Sequence, residues 1–213
     1  ANRREPLTLA MIEALHQRNM SHALHPFHRD VQLYHWFVVG LSIGPRRVEW
    51  AQAAVGRSGR SPDLTAPELD DRDGLPRAFM PQDIRCETIT HRRIPLTEAV
   101  YTCPDLIDAI TITWRHQKNG ENGEEKTITR SSATSPSRHC RVRSMLEILR
   151  CRLTLVQADA PVALAVFQTE TAAVAYLTNY DVTGMLRSLA AEVYNLDPIR
   201  DKKALQRWSS HSL

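Results

Sequence analysis

The chain has 213 residues, of which 42% are hydrophobic and 24% charged, a balance typical of a globular domain with one sizeable core. No run approaches the roughly 20 consecutive apolar residues that a membrane helix needs, and no apolar segment typical of a secretory signal follows the charged N-terminus. The formal net charge of +3 permits nucleic-acid binding without requiring it.

Arginine carries nearly all of the positive charge, since lysine occurs only at Lys118, Lys126, Lys202 and Lys203. The planar guanidinium matches the oxygens of a phosphate, which favours a phosphate-binding surface. The same bias is typical of a GC-rich genome, so composition leaves both interpretations open. The cysteines form no Cys-x-x-Cys pair, which predicts reduced thiols in an intracellular protein.

Helical signals dominate the N-terminal quarter of the chain. Residues 8–17 carry apolar side chains at helical spacing behind Thr8, a residue type that caps helices. Asp30 is expected to cap a longer helix, which Gly44-Pro45 ends; Pro45 then favours the start of another helix. The apolar positions of the longer helix are Val31, Tyr34, Phe37, Val38 and Leu41.

The middle of the chain predicts a small sheet. Residues 56–77 are rich in Gly, Ser, Pro and Asp and indicate a loop or insertion. Strand candidates lie around Ile84–Thr90, and residues 109–130 predict a β-hairpin. In its first strand Ile110, Ile112 and Trp114 alternate with polar residues, and two Asn-Gly pairs follow within residues 119–123.

The C-terminal third returns to helical patterns. A helix is predicted near Cys140–Leu155, followed by a short apolar stretch and a second helix near Asp181–Tyr194. The tail 197–213 is expected to begin one more helix. The side of the first helix away from its apolar face carries Arg141, Arg143, Arg150 and Arg152. The sequence therefore predicts one α+β unit over residues 1–213, mainly α with a small antiparallel β-sheet.

The segment 44–49 (Gly-Pro-Arg-Arg-Val-Glu) places Arg46 in the first turn of a predicted helix, with Glu49 on the same face. Such a carboxylate can fix the guanidinium by a charge-assisted pair. Taken alone, this spacing is more typical of a solvated surface pair. Lys118, at the tip of the hairpin, is alone more typical of a solubilising residue. His211, close to the chain end, carries no signal by itself.

Together these residues resemble the tyrosine recombinase/integrase family. Members place a first Arg in a Gly-x-Arg-x-x-Glu helix start, a Lys on a β-hairpin and then a His-x-x-Arg box. Arg46, Lys118 and His211 match these positions in order, and the resemblance extends from Pro6 to the end of the chain. Arg47 could replace Arg46 if the helix starts one residue later.

The chain departs from the family pattern at its C-terminal end. The second Arg, the later His or Trp and the Tyr nucleophile would all lie beyond Leu213. The upstream helical domain with which the family clamps DNA has no counterpart either. The expectation is therefore a catalytic domain fragment, truncated before its nucleophile and itself inactive.

The resemblance implies site-specific DNA recombination or integration for a mobile element, with no cofactor. A tyrosine attacks a DNA phosphodiester and forms a covalent intermediate, and fixed guanidinium groups stabilise the transition state. Arg46 would hold the phosphate, Glu49 would support Arg46, Lys118 would protonate the leaving 5′ oxygen and His211 would assist proton transfer. The implied partners are double-stranded DNA and further copies of the full-length protein on that DNA, with no membrane.

Further arginines are candidates for DNA contacts: Arg47, Arg115, Arg143 and Arg150. The arginine-bearing side of the 140–155 helix is either a solvated face or a surface that follows phosphates. The alternative function is a non-catalytic DNA-binding or interaction protein derived from such an enzyme, and a helical scaffold without a nucleic-acid role also stays open.

His22, His25, His28 and His35 invite a metal-site interpretation. Pro26 interrupts the helix that would align them, and no Cys or carboxylate stands at a typical zinc spacing. A polar loop without a metal is the favoured interpretation. The sequence also has no P-loop, dinucleotide fingerprint or Gly-x-Ser-x-Gly motif.

Overall fold

The computed structural model describes residues 5–44, 78–115, 123–130 and 139–209. Two helices open this part of the chain, α1 over Leu9–Ser21 and α2 over Arg29–Ile43. Thr8 caps α1 as predicted, accepting from the Met11 N–H at 3.4 Å. The predicted cap of α2 is wrong: His28 accepts from the Asp30 N–H at 3.2 Å, and Asp30 lies in the first turn, where a carboxylate favours the helix dipole.

Gly44 ends α2 with a positive φ of 57°, a conformation that glycine adopts without the steric cost of a side chain. The end predicted from Gly44-Pro45 is confirmed. Tyr34, Phe37 and Val38 are buried, whereas Leu41 is exposed. The helix and the loop predicted over residues 46–54 and 56–77 lie outside the described residues.

Four antiparallel strands form one sheet in the order β2-β1-β3-β4. They span Ile84–Thr88 (β1), Arg93–Ile94 (β2), Ile107–Trp114 (β3) and Glu124–Thr129 (β4), with short helical turns at Pro81–Asp83, Glu98–Thr102 and Pro104–Leu106. The predicted hairpin is confirmed as β3 and β4, with Ile110 opposite Ile128. Ile110, Ile112 and Trp114 are all buried, as their alternation predicts.

The C-terminal part contains α3 (Arg141–Leu155), the two-stranded hairpin of β5 (Val166–Gln168) and β6 (Val174–Tyr176), α4 (Asn179–Val193) and the short α5 (Lys202–Leu205). The α4 helix starts two residues before the predicted Asp181. The reason is a capping box, in which the Thr178 side chain accepts from the Asp181 N–H and Asp181 accepts from the Thr178 N–H.

One core joins the four longer helices to the sheet. α2 packs against both α3 and α1, α1 contacts α4, and α3 also contacts the sheet. Trp36 and Phe37 of α2, Ile148 of α3 and Ile110 of β3 are buried in this core. The described part of the chain is thus an α+β structure in which the sheet lies between α2 and α3 in chain order. No described helix is long and apolar enough to cross a membrane.

Candidate functional site

The three residues matched to the recombinase motif, Arg46, Lys118 and His211, lie outside the described residues, as do Arg47 and Glu49. Their convergence on one phosphate therefore stays a prediction. The nearest described residues are Gly44, two positions before Arg46, then Arg115 and Gly123 on either side of Lys118, and Ser209, two positions before His211.

The β-hairpin contacts the C-terminal end of α2 through Lys126. Its Nζ donates to the Ile43 carbonyl at 3.2 Å and lies 5.4 Å from the centre of the Trp114 ring. A lysine at this position satisfies one of the carbonyls that a helix end leaves unpaired, and its charge complements the helix dipole. The chain therefore leaves α2 beside the strands whose turn carries Lys118.

The segment before His211 is anchored to α4. The Trp208 ring stacks on Tyr194 with centroids 5.6 Å apart, and Arg187 Nε donates to the Trp208 carbonyl at 3.2 Å. Trp208 and Ser209 are both buried. This end of the chain is consequently part of the packed structure up to Ser209.

Arg115, a predicted DNA contact at the end of β3, is engaged within the protein. Its Nε donates to Asp83 at 2.6 Å, and another guanidinium nitrogen donates to the Ala78 carbonyl at 3.1 Å. Its side chain is 18% exposed, and Asp83 is buried. Binding to a phosphate would have to compete with this pair, and the role of Arg115 in DNA binding stays a prediction.

The arginines of α3 separate into two kinds. Arg143 is 68% exposed, with Asp105 3.7 Å away, and Arg150 is 42% exposed and paired with Glu147 at 3.0 Å. Their seven-residue separation is close to two helical turns, which places both on one face. The sequence analysis placed Arg152 on the same side, and this is wrong, because Arg152 is fully buried.

Arg152 holds the segment that follows α3. Its guanidinium donates to four backbone carbonyls, at distances of 2.8–3.1 Å: those of Val156, Gln157, Ala160 and Val162. The five N–H groups of a guanidinium suit such a cluster of acceptors, because carbonyl oxygens partly replace the lost hydration. Arg152 is therefore a structural residue.

A groove of about 320 Å³ opens between α1, α2 and the start of α3. Arg143, Arg150 and Ser144 line one part of it, and Met20, Leu24 and Val31 line an apolar part. The groove thus combines cationic and hydrophobic walls, a combination found in sites for organic anions.

A hydrogen-bonded chain of three side chains lies beside this groove. His139 Nε2 is 2.8 Å from Glu13 Oε2, and His139 Nδ1 is 3.0 Å from the Tyr34 hydroxyl. The His16 ring packs 5.2 Å from the Tyr34 ring. The sequence analysis missed this arrangement, because Glu13, Tyr34 and His139 are far apart in the chain and match no motif spacing.

His35 also faces the groove, with Nδ1 3.3 Å from Ser144 Oγ. Burial, then the Arg150 charge and then His16 lower the pKa of His35 from 6.5 to about 3. The unfolded chain therefore takes up a proton at His35 first as the pH falls. The stability that the neutral ring contributes is complete above pH 6.5 and declines as the pH falls toward 3.

We expect a His35→Gln variant to lose this pH dependence of the unfolding free energy. From pH 7 to pH 5 the wild-type protein should lose about 1–2 kcal/mol more unfolding free energy than the variant. The effect is at most about 2 kcal/mol because His35 keeps some contact with solvent, which screens its interactions. Urea unfolding at both pH values measures the difference. Glutamine can still bond to Ser144, so equal losses in both proteins would contradict the assignment.

The loop histidines make local hydrogen bonds to the backbone. His22 Nδ1 lies 2.8 Å from the Arg18 carbonyl at the end of α1, and His25 accepts from the Phe27 N–H at 3.2 Å. His28 caps α2. Among the described residues, no group of three or more His, Cys, Asp or Glu side chains could hold a metal ion.

The cysteines are all free thiols. Burial raises the pKa of Cys86 to about 12, and it raises the pKa of Cys151 even further. Such thiols are poor nucleophiles at neutral pH.

Comparison with protein-family models, with curated proteins and with solved structures finds no match for this chain.

Proposed function

We propose that this chain is part of a DNA strand-exchange protein that resembles the tyrosine recombinases. Its parent protein would cleave and rejoin DNA site-specifically through a phosphotyrosine intermediate, inside the cell and on double-stranded DNA. The observation that carries the proposal is the contact between Lys126 and the Ile43 carbonyl, which holds the hairpin against the end of α2.

This contact matters because it joins the two elements next to which two of the motif residues stand in the sequence. Arg46 follows Gly44 by two residues, and Lys118 belongs to the turn between β3 and β4. The contact supports the expectation that a guanidinium and an ammonium act on one phosphate, the first by charge stabilisation and the second by protonating the leaving oxygen.

The order of the elements supports the same proposal. Arg46 comes after α2, Lys118 between the hairpin strands, and His211 after α5 and the anchored Trp208. The described residues nearest to the motif residues in the sequence are Gly44 at the end of α2, Arg115 and Gly123 at the ends of the hairpin strands, and the buried Ser209. Preorganised side chains are what stabilisation of a phosphoryl transition state requires, because mobile charges would lose entropy on binding.

Arg143 and Arg150 are the described residues best placed to add DNA contacts. We expect the Arg143→Ala/Arg150→Ala double variant to bind duplex DNA about tenfold more weakly at physiological salt, to a similar degree for every sequence. The slope of log affinity against log salt should fall by about 1.8 if two phosphate contacts are lost. Fluorescence anisotropy with labelled duplexes over a salt series measures both quantities.

The matched control is the Arg93→Ala/Arg200→Ala variant, which removes the same charge from β2 and from the loop before α5. It should keep most of the wild-type affinity and slope. Equal weakening by both double variants would mean that net charge alone attracts DNA. Absence of salt-dependent binding by the wild type would favour a scaffold without a nucleic-acid role.

A further inference from the structure

Glu13, His139 and Tyr34 are arranged as a carboxylate, an imidazole and a hydroxyl in series. Glu13 lies on α1, Tyr34 on α2 and His139 just before α3, so three packed elements fix the arrangement. The second carboxylate oxygen of Glu13 accepts from Gln17 Nε2 at 2.8 Å, which orients the carboxylate.

The polarity of these bonds suits proton removal from Tyr34. A carboxylate can only accept, so His139 Nε2 carries the hydrogen that it donates to Glu13. In the neutral ring Nδ1 then has the free electron pair and faces the Tyr34 hydroxyl at 3.0 Å. A hydroxyl beside a base that a third group orients is the general arrangement of an activated nucleophile.

Tyr34 also lines the groove between α1, α2 and α3, although it is only 6% exposed. Arg143 and Arg150 supply positive charge at this groove, partly offset by Glu147. Met20 and Leu24 supply an apolar wall. The complementary ligand is a small anion with an apolar body, of which an aryl phosphate is the simplest example.

We propose that this groove is a second reactive site, in which Tyr34 is a base-activated nucleophile toward an aryl phosphate ester. The Tyr34 oxygen forms a bond to phosphorus while its proton passes to His139 Nδ1. The bond between phosphorus and the aryl oxygen breaks, and that oxygen leaves with the electron pair on the opposite side and takes a proton from water, while His139 returns its proton to solvent. Glu13 stabilises the transient imidazolium and is a positioning residue. The reaction involves no DNA, so it stands or falls independently of the proposed function.

The direct test of the nucleophile is labelling of the full chain with 4-(fluorosulfonyl)benzoic acid. This probe is an anionic aryl compound whose sulfur accepts the tyrosine oxygen and releases fluoride. Although Tyr34 is nearly buried, we expect peptide mass spectrometry to show it labelled at least tenfold faster than Tyr101, Tyr180 and Tyr194, which are 44–53% exposed. Faster labelling of the exposed tyrosines would overturn the proposal.

Variants distinguish activation of Tyr34 by His139 from simple access of the probe to Tyr34. His139→Asn should reduce labelling of Tyr34 at least tenfold, whereas His91→Asn, in the turn after β1, should leave the rate unchanged. If His139→Asn fails to fold, as judged by circular dichroism, Glu13→Gln provides the second test, with a smaller reduction expected. An unchanged Tyr34 rate in a folded His139→Asn or Glu13→Gln variant would overturn the role of the relay.

The ligand class has its own test. Phenylphosphonate resembles an aryl phosphate but lacks the bond that would break, so it should protect Tyr34 of the wild type from the probe in a saturable manner. Arg143→Ala should raise the phenylphosphonate concentration needed for half protection several-fold. Labelling of Tyr34 without protection would overturn the assignment of an anionic aryl phosphate as the ligand.

Discussion

Replacing Arg152 by methionine is expected to lower the free energy of unfolding by about 3–5 kcal/mol, the cost typical of removing one partner from a buried charged network. Methionine fills much of the same space but donates no hydrogen bond. The carbonyls of Val156, Gln157, Ala160 and Val162 would lose the guanidinium that they share. Chemical denaturation monitored by far-UV circular dichroism measures the loss.

Arg150→Met is the matched control, because it makes the same change two residues earlier on the same helix. Arg150 is 42% exposed and pairs with Glu147, an arrangement whose removal typically costs under about 1 kcal/mol. Similar losses in the two variants would mean that the bonds of Arg152 to the backbone contribute little. Arg152→Lys should retain only part of the stability, since an ammonium cannot reach four separated acceptors.

Replacing Arg46 by alanine is expected to abolish formation of the covalent DNA intermediate in a longer form of the protein that includes a tyrosine beyond Leu213. The guanidinium would stabilise the charge that develops on the non-bridging phosphate oxygens, so its loss would raise the barrier. A nicked suicide duplex, which traps the covalent complex, measures the product on a denaturing gel. An unchanged yield would exclude Arg46.

Lys118→Ala distinguishes the roles of the two cations. If Lys118 protonates the leaving 5′ oxygen, a substrate with sulfur at that position should restore cleavage, because a thiolate leaves without protonation. The same substrate should not rescue Arg46→Ala, whose defect concerns the non-leaving oxygens. Failure of the sulfur substrate to rescue Lys118→Ala would contradict the assignment of Lys118 as the acid.

Local signals in the sequence were enough to predict most elements. Thr8 caps the start of α1 and Gly44 the end of α2, and both are residue types that favour these positions. The alternation of apolar and polar residues around Ile110 likewise depends only on neighbours along β3. The predicted first residue of α2 was wrong because both His28 and Asp30 can cap a helix, and His28 does so in the structure. The β5–β6 hairpin has only three residues in each strand, too few for a periodic pattern.

The candidate sites depend on contacts that sequence spacing does not encode. Glu13 and His139 are 126 positions apart, and Lys126 is 83 positions from Ile43. Arg152 is a second residue whose surroundings could not be predicted from sequence spacing. Helical periodicity assigned it to a polar face, but the segment that follows α3 folds back and covers its side chain. Only the tertiary structure distinguishes it from Arg150.

The close packing of α2 against α3 has a kinetic consequence. These helices are neighbours in space, yet the entire sheet and its connections separate them along the chain. The core cannot form until this long loop closes, and the entropy lost on closure opposes the encounter. The β3–β4 hairpin needs only residues near one another in sequence. Its early formation would shorten the effective loop and bring the end of α2 toward Lys126, so the order of assembly would run from the sheet to the helices.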